Sequence, residues 1–352
     1  MIRRGVHRPI RRTSPTGPPR RVSVVLVSRE TNQEITKRVD DLRSGDYPPA
    51  LLDVVVSLDA SVASRASDLQ GLLGDRATVV CGNERGKASA LNAGVSASKA
   101  DLLLFVDSAQ YFERDTISEL VGEFDERVWG ALTATLAATS GDVIMDRYWQ
   151  RELAIRQGQE SRHSIICVTG CAYVMHRRFW RPMPAGLICD DLWSTYGVVT
   201  QGGRVGIVAS ARVTDPRRFT REQEYARRLR TMTGLLQFLR TSPEVLNPSR
   251  NPMCLDFLLH KLMRPATPLL VMLSAACFTA AVWLWSPRAV LAAAFVAVAT
   301  TLGGLLLAFL APKWLAPKLA TIVFARRLMF MPLRAISRAM RSDWDVWTTM
   351  KP

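Results

Sequence analysis

The chain has 352 residues, 48% of them hydrophobic, and a formal net charge of +15. This length allows a substantial hydrophobic core and two or three structural units. A basic chain can bind nucleic acid or an anionic membrane, but only 8% of these residues are aromatic and no nucleic-acid-binding motif is present. Long apolar segments make acidic lipid headgroups the simpler explanation of the charge, so nucleic acid is not an expected partner.

The N-terminal segment is strongly basic. Residues 1–21 hold seven arginines and no acidic residue, and they lack the apolar stretch of a signal peptide. We predict a disordered basic arm over residues 1–20.

Strand and helix patterns alternate after this arm. Helical stretches separate four apolar, β-branched runs, "RVSVVLV", "LLDVVVSLDAS", "ATVVCG" and "DLLLFVDS". This alternation predicts an α/β fold, with a mostly parallel sheet covered by helices on both faces. Ligands bind such sheets beyond the carboxyl ends of the strands, where Asp59 and Asp107 stand.

Further elements follow along the chain. "WGALTATLA" is typical of a strand, "LWSTYGVVTQ" of a helix that starts after an acidic pair, and "TREQEYARRLRTMTGLLQFLR" of a basic amphipathic helix. Cys167 and Cys171, with His163 and His176 nearby, could form a metal cluster. Their spacing fits no familiar metal site, which favours structural thiols in a reducing compartment.

Two apolar segments near the C-terminus predict a membrane hairpin. Pro268–Trp285 and Ala289–Ala311 contain no charged residue. As helices they would extend roughly 27 and 35 Å, which matches a hydrocarbon core of about 30 Å. A buried pair of helices in a soluble protein is the alternative. Basic residues flank the hairpin on one side, which favours a cytoplasmic location for the rest of the chain.

The segment after the hairpin is amphipathic. Lys318–Arg341 interleaves apolar residues with five arginines and is broken by Pro332. A helix lying in the membrane interface fits this pattern better than a third span, because adjacent arginines are costly at mid-membrane depth. The predicted organisation is a basic arm (1–20), an α/β catalytic domain (21–245), a linker (246–267), two transmembrane helices (268–311) and an interfacial segment (312–352).

Five motifs in order resemble the family 2 glycosyltransferases, which have the GT-A fold and include membrane-attached cellulose, hyaluronan and poly-N-acetylglucosamine synthases. The motifs are "GKASALNAG", "LLLFVDSA", "VTGCAYVMHR", "CDDLW" and "RRLRTMTGLL". The resemblance spans nearly all of residues 22–350. It implies transfer of a sugar from a nucleotide-diphosphate donor, with a UDP-sugar expected, to a polysaccharide or lipid-linked glycan.

The resemblance also implies roles in donor binding. Asp59 would accept hydrogen bonds from the nucleotide base, and Lys87 would face the diphosphate from the start of a helix. Arg230 could pair with the diphosphate as well. Taken alone, Lys87 could equally be an ordinary solvated lysine.

Asp107 matches the first acid of the family's D-x-D motif, which holds a divalent cation. Ala109 stands where the second acid would be. Three interpretations remain open: Mg²⁺ or Mn²⁺ binds weakly at Asp107, cations such as Lys87 and a downstream arginine replace it, or catalysis has been lost.

The acidic pair Asp190–Asp191 matches the element that supplies the family's catalytic base. We expect Asp191 to deprotonate the acceptor hydroxyl in an inverting reaction. Asp190 could cap the following helix, as aspartate often does, and would belong to the acceptor site. Gly170 and Cys171 are expected to shape that acceptor site too.

Other positions depart from the family pattern. Thr231 replaces the tryptophan that stacks under the acceptor sugar, which argues against processive synthesis. The leading hypothesis is an inverting glycosyltransferase attached to the plasma membrane, with its catalytic domain in the cytoplasm. The alternative is a non-catalytic membrane subunit of the same fold that partners an active synthase or an export subunit. Transfer to a polyprenyl phosphate is a third hypothesis.

Overall fold

The computed structural model describes residues 19–137, 143–217, 220–289, 291–296, 298 and 327–341. The described residues form two compact units. The first contains residues up to 217 together with 237–257, and the second contains 220–236 together with the described residues from 258 onward. Most of the predicted basic arm therefore lies outside the described residues.

A mixed eight-stranded sheet forms the centre of the first unit. Its strands are β1 (Val22–Ser28), β2 (Leu52–Leu58), β3 (Thr78–Cys81), β4 (Leu102–Asp107), β5 (Tyr111–Phe112), β6 (Ala131–Ala137), β7 (Ala172–His176) and β8 (Val205–Thr214). They lie in the order β3-β2-β1-β4-β7-β6-β8-β5. The pairs β1–β2, β1–β4, β2–β3 and β6–β8 are parallel, whereas β7 is antiparallel to β4 and β6, and β5 to β8.

Helices cover both faces of this sheet. They are α1 (Asn32–Arg43), α2 (Ala66–Leu73), α3 (Lys87–Ala97), α4 (Thr116–Gly122), α5 (Val143–Arg162) and α6 (Asp190–Thr200). Two further helices follow along the chain, α7 (Arg221–Thr241), most of which belongs to the second unit, and the short α8 (Cys254–Asp256). Apolar side chains of α1, α2 and α4 pack on one face in a single hydrophobic cluster. On the other face, α3 lies so close to β1 that a Cβ at Gly94 would come within 2.6 Å of Val25 Cγ1.

The predicted α/β architecture is confirmed. The strands expected from the five apolar runs are β1, β2, β3, β4 and β6. Strands β1, β2 and β4 are almost fully buried, which suits their continuous apolar sequences, whereas β3 is partly exposed. The two-residue strand β5 and the antiparallel insertion of β7 between β4 and β6 were not predicted. Their pairing depends on contacts between distant parts of the chain.

In the second unit, α7 packs against a C-terminal helix, α10 (Met331–Met340). Tyr225 and Leu229 of α7 form a small core with Met331 and Ala335. Arg334 Nη1 donates a hydrogen bond of 3.0 Å to the Tyr225 hydroxyl. The helical pattern is interrupted next to Pro332, as expected: a turn at Phe330 precedes α10, and Pro332 lies in the first turn of that helix, where proline's missing N–H would have no helical partner.

The long helix α9 (Met263–Trp285) also belongs to the second unit. Its Pro265–Trp285 segment is long and apolar enough to cross a membrane, and none of it is buried in the structure. It contains the first predicted span, but membrane crossing itself stays a prediction. The second predicted span lies largely outside the described residues, as does the chain from 299 to 326.

Candidate active site

The carboxyl ends of β2, β4 and β8 meet at one edge of the sheet. Asp59 directly follows β2, Asp107 is the last residue of β4, and Asp215 directly follows β8. The first turns of α3 and α6 bring Lys87 and Asp190 to the same place, as their contacts below show. This edge therefore gathers acidic and basic side chains from five elements that are well separated in sequence.

Asp59 holds the loop that leads into α3. Its Oδ2 accepts a hydrogen bond of 2.6 Å from the backbone N–H of Gly86, and its Oδ1 accepts one of 2.8 Å from Ser61 N. Burial raises the pKa of this carboxyl, but the hydrogen bonds from Ser61 and Gly86 outweigh it, so the pKa lies below its usual value. Gly86 has φ of +115°, a conformation that a residue with a Cβ rarely adopts.

Lys87, the first residue of α3, lies between two carboxylates. Its Nζ is 2.9 Å from Asp107 Oδ1 and 2.8 Å from Asp190 Oδ2. The lysine and Asp190 side chains are 14% and 12% exposed, whereas Asp107 is 33% exposed. One ammonium group thus connects the end of β4 with the first turn of α6.

The protonation of this cluster follows from one cation shared by several acids. Burial lowers the pKa of Lys87, but attraction to Asp107 and Asp190 outweighs it, so the pKa is raised above its usual value. Burial raises the pKa of Asp190, and the nearby Asp191 and Asp107 raise it further, against the opposing effect of Lys87. The lysine is therefore firmly charged, while ionisation of Asp190 is disfavoured.

Asp191 lies next to Asp190 on α6 and is only partly buried. Its Oδ2 accepts a hydrogen bond of 3.1 Å from the Cys167 thiol, and its Oδ1 accepts one of 2.9 Å from Leu192 N. A Cβ at Gly170 would lie 3.8 Å from Asp191 Cβ, so this glycine stands directly beside the carboxylate. A carboxylate fixed in this way, with a small neighbour, can accept a proton from a hydroxyl group placed against it.

Cys171 is hydrogen-bonded to Asp107 through the backbone. Its carbonyl oxygen accepts a hydrogen bond of 3.4 Å from Asp107 N, which ties β4 to the loop before β7. Burial raises the pKa of the Cys171 thiol to about 12, and the negative charge of Asp107 contributes in the same direction. The thiol is neutral at physiological pH and supports the wall of the site rather than acting as a nucleophile.

Asp215 and Arg217 were missed by the sequence reasoning. Arg217 donates from Nε and Nη2 to the two oxygens of Asp215, at 2.9 and 2.7 Å, and Gln110 Nε2 donates to Oδ2 at 3.1 Å. The hydrogen bonds with Asp215 raise the pKa of Arg217, and Asp107 is close enough to add to the shift. An acid just after a buried strand was the available signal, since that same pattern identified Asp59 and Asp107.

The structure brings most of the predicted site residues together. Asp59, Lys87, Asp107, Gly170, Cys171, Asp190 and Asp191 are joined through the contacts above. The expected cap is wrong, because Cys189 is the N-cap of α6 and the Asp190 side chain binds Lys87 instead. Arg230 belongs to the second unit, and its contact with a diphosphate stays a prediction.

Metal binding was tested against the side chains at this edge. Among the described residues, no group of three or more histidine, cysteine, aspartate or glutamate side chains could hold a metal ion. The Asp107 carboxylate already pairs with Lys87, and Ala109 offers no ligand. The residues present do not fit a metal ion clamped by the two acids of a D-x-D motif, because an ammonium lies between Asp107 and Asp190.

Comparisons with known proteins bear on the family and the fold of this chain. The family model described as glycosyltransferase like family 2 matches residues 18–234, more than half of the chain. No curated protein sequence matches significantly.

Two solved structures are similar to this chain. One is the mannosyltransferase PcManGT from Pyrobaculum calidifontis, in complex with GDP-Man and Mn²⁺. It is 20% identical, has a TM-score of 0.65 and covers 93% of this chain and 88% of its own. The other is residues 1–349 of Staphylococcus aureus TarS in complex with UDP-GlcNAc, which is 15% identical, has a TM-score of 0.45 and covers 64% of this chain and 67% of its own.

Proposed function

Because the chain belongs to the glycosyltransferase-like family 2, we propose that it moves a sugar from a nucleotide-diphosphate donor to a glycan acceptor with inversion at the anomeric carbon. The observation that supports this most is the link from Asp107 through Lys87 to Asp190, next to Asp191. A donor-binding cation and a candidate base are thereby held in one place.

In the proposed reaction, the donor diphosphate lies against Lys87 and the start of α3. The first backbone N–H groups of a helix have no partner within it and favour anionic oxygens. Asp59 fixes this helix start through its bond to Gly86, and its remaining lone pairs can accept hydrogen bonds from the nucleotide base.

The acceptor hydroxyl would lie within about 3 Å of the Asp191 carboxylate, beside Gly170. Its oxygen attacks the anomeric carbon while Asp191 takes its proton, and the bond to the diphosphate breaks on the opposite side. Lys87 stabilises the negative charge that develops on the leaving diphosphate. Attack opposite to the leaving group inverts the anomeric configuration.

The membrane supplies the setting for the acceptor. The uncharged Pro265–Trp285 segment of α9 and the arginines of α10 support attachment to a plasma membrane from the cytoplasmic side. A polysaccharide or lipid-linked glycan at that surface is the proposed acceptor, and an export subunit would be a natural partner. Thr231 in place of a stacking tryptophan favours a single transfer over processive synthesis.

The test is a donor-panel assay on the full chain in nanodiscs. Release of nucleoside diphosphate is measured for UDP-sugars and GDP-sugars, with and without Mn²⁺ or Mg²⁺. GDP-sugars and Mn²⁺ are included because the archaeal mannosyltransferase was solved with them. We expect release from one donor class, with a UDP-sugar first, and a rate loss of about 10²–10⁴-fold in Asp191→Asn.

Two results would contradict the proposal. Undiminished release from Asp191→Asn would remove its assigned role as base. Nucleotide binding without turnover of any donor would instead support the non-catalytic subunit, which Ala109 and Thr231 favour. Asp101→Asn is the matched control, because Asp101 is an exposed acid that precedes β4 at the end opposite to Asp107.

A further inference from the structure

We propose that the Lys87 ammonium replaces a divalent cation in this site, so that the nucleoside diphosphate binds without metal. The inference rests on the proposed function and specifies how the donor is recognised. It starts from Ala109, which offers no metal ligand at the position of the second acid of the D-x-D motif, and from the ammonium that lies between Asp107 and Asp190.

The Lys87 ammonium already lies where a metal ion would bind. It contacts one oxygen of Asp107 and one of Asp190 at hydrogen-bonding distance, and little of its side chain reaches solvent. A metal ion at Asp107 would have to displace it. That displacement would leave the buried Asp190 without its cation, which is costly in a poorly solvated site.

The other acids at this edge have partners from the chain as well. Both oxygens of Asp59 accept backbone hydrogen bonds, and Asp215 is held by Arg217 and Gln110. Within this described cluster Asp190 is therefore the carboxylate placed beside Asp107, and the Lys87 ammonium already lies between the two. The site is built as a set of internal ion pairs and hydrogen bonds.

Lys87 retains the capacity to bind a phosphate group. An ammonium has three N–H donors, and Asp107 and Asp190 take two of them. The third, together with the first N–H groups of α3, can reach one diphosphate oxygen. The two carboxylates keep the ammonium charged and fix its position. The lysine side chain therefore loses less conformational entropy when the diphosphate binds.

The experiment compares nucleotide binding and metal binding in the full chain. Calorimetry measures the Kd of UDP and of GDP in EDTA and in Mn²⁺, and electron paramagnetic resonance measures binding of Mn²⁺ alone. For the wild-type chain, we expect the Kd of the nucleotide that binds more tightly to differ by less than about threefold between EDTA and Mn²⁺. Ala109→Asp should gain Mn²⁺ binding and bind nucleotide at least about tenfold tighter with Mn²⁺ than in EDTA.

Lys87→Met tests the ammonium directly and should weaken binding in EDTA by at least about tenfold. Lys99→Met is the matched control, because Lys99 is exposed and lies just beyond the opposite end of α3. Wild-type binding that requires Mn²⁺ would overturn the inference and leave the proposed function standing. Failure of both nucleotides to bind under either condition would overturn both. The wild-type and Ala109→Asp measurements decide the matter even if Lys87→Met does not fold.

Discussion

Removing either partner of the Lys87–Asp190 pair should have unequal effects on stability. Lys87→Met leaves Asp107 and Asp190 facing each other without a cation, whereas Asp190→Asn leaves the lysine paired with Asp107. Breaking a fully buried pair by removing one charge costs about 3–5 kcal/mol. Because Asp107 is 33% exposed and solvent screens it, we expect about 2–3 kcal/mol for Lys87→Met.

Asp190→Asn should cost no more than about 1 kcal/mol. Burial and the neighbouring acids raise the pKa of Asp190, so the folded protein already resists its ionisation and tolerates a neutral isostere. The folded state binds this proton more tightly than the unfolded state. Stability should therefore fall as pH rises from the unfolded pKa through the folded pKa, and Asp190→Asn should remove this part of the pH dependence.

Thermal unfolding of the full chain in detergent measures both effects. One kcal/mol corresponds to about 2–4 °C in a domain of this size, so Lys87→Met should lower the Tm by about 5–10 °C and Asp190→Asn by less than about 4 °C. Asp101→Asn serves as the exposed control. Equal decreases of the Tm in Lys87→Met and Asp190→Asn would refute the reasoning that a single ammonium compensates both Asp107 and Asp190.

Three further predictions concern the surroundings of the cluster. Cys167→Ala removes the thiol hydrogen bond that orients the Asp191 carboxylate, so kcat/KM should fall by about tenfold, and Cys167→Ser should restore it; an undiminished kcat/KM in Cys167→Ala would contradict this. Gly86→Ala forces a side chain into positive φ and should cost about 1–2 kcal/mol in chemical denaturation, unlike Gly71→Ala in α2, where a Cβ meets open space. The pKa of Asp59 is lower in the folded protein than in the unfolded chain. Its ionised carboxylate therefore stabilises the fold above the unfolded pKa, and this stabilisation is lost as the pH falls through the folded pKa. Wild type and Asp59→Asn should therefore differ in Tm at neutral pH and converge on acidification; a constant difference would contradict that link.

The sequence predicts those parts of the fold that depend on local pattern. Strands β2 and β4 end where the apolar run meets an acidic residue, and Asp59 and Asp107 were located for that reason. The "GKASALNAG" motif correctly placed Lys87 at the start of a helix, because Gly86 can adopt the turn and Gly94 allows close packing on β1.

Contacts between distant segments could not be predicted in this way. Aspartate before an apolar helix usually caps it, but Asp190 turns toward Lys87 because a buried ammonium needs a counter-charge. The nearness of Arg217 to Asp107 depends on the position of β8 in the sheet, which local pattern does not encode. The antiparallel β7 likewise follows from long-range pairing, and it places Cys171 against Asp107.

The central claim is that Asp191 activates an acceptor for attack opposite to the leaving diphosphate. Proton NMR of the first sugar released when the full chain slowly hydrolyses an α-linked donor in water tests this claim most directly. The account predicts that the β-anomer forms first and that Asp191→Asn abolishes its formation. An α-anomer as the initial product, or unchanged formation of the β-anomer by the variant, would contradict it.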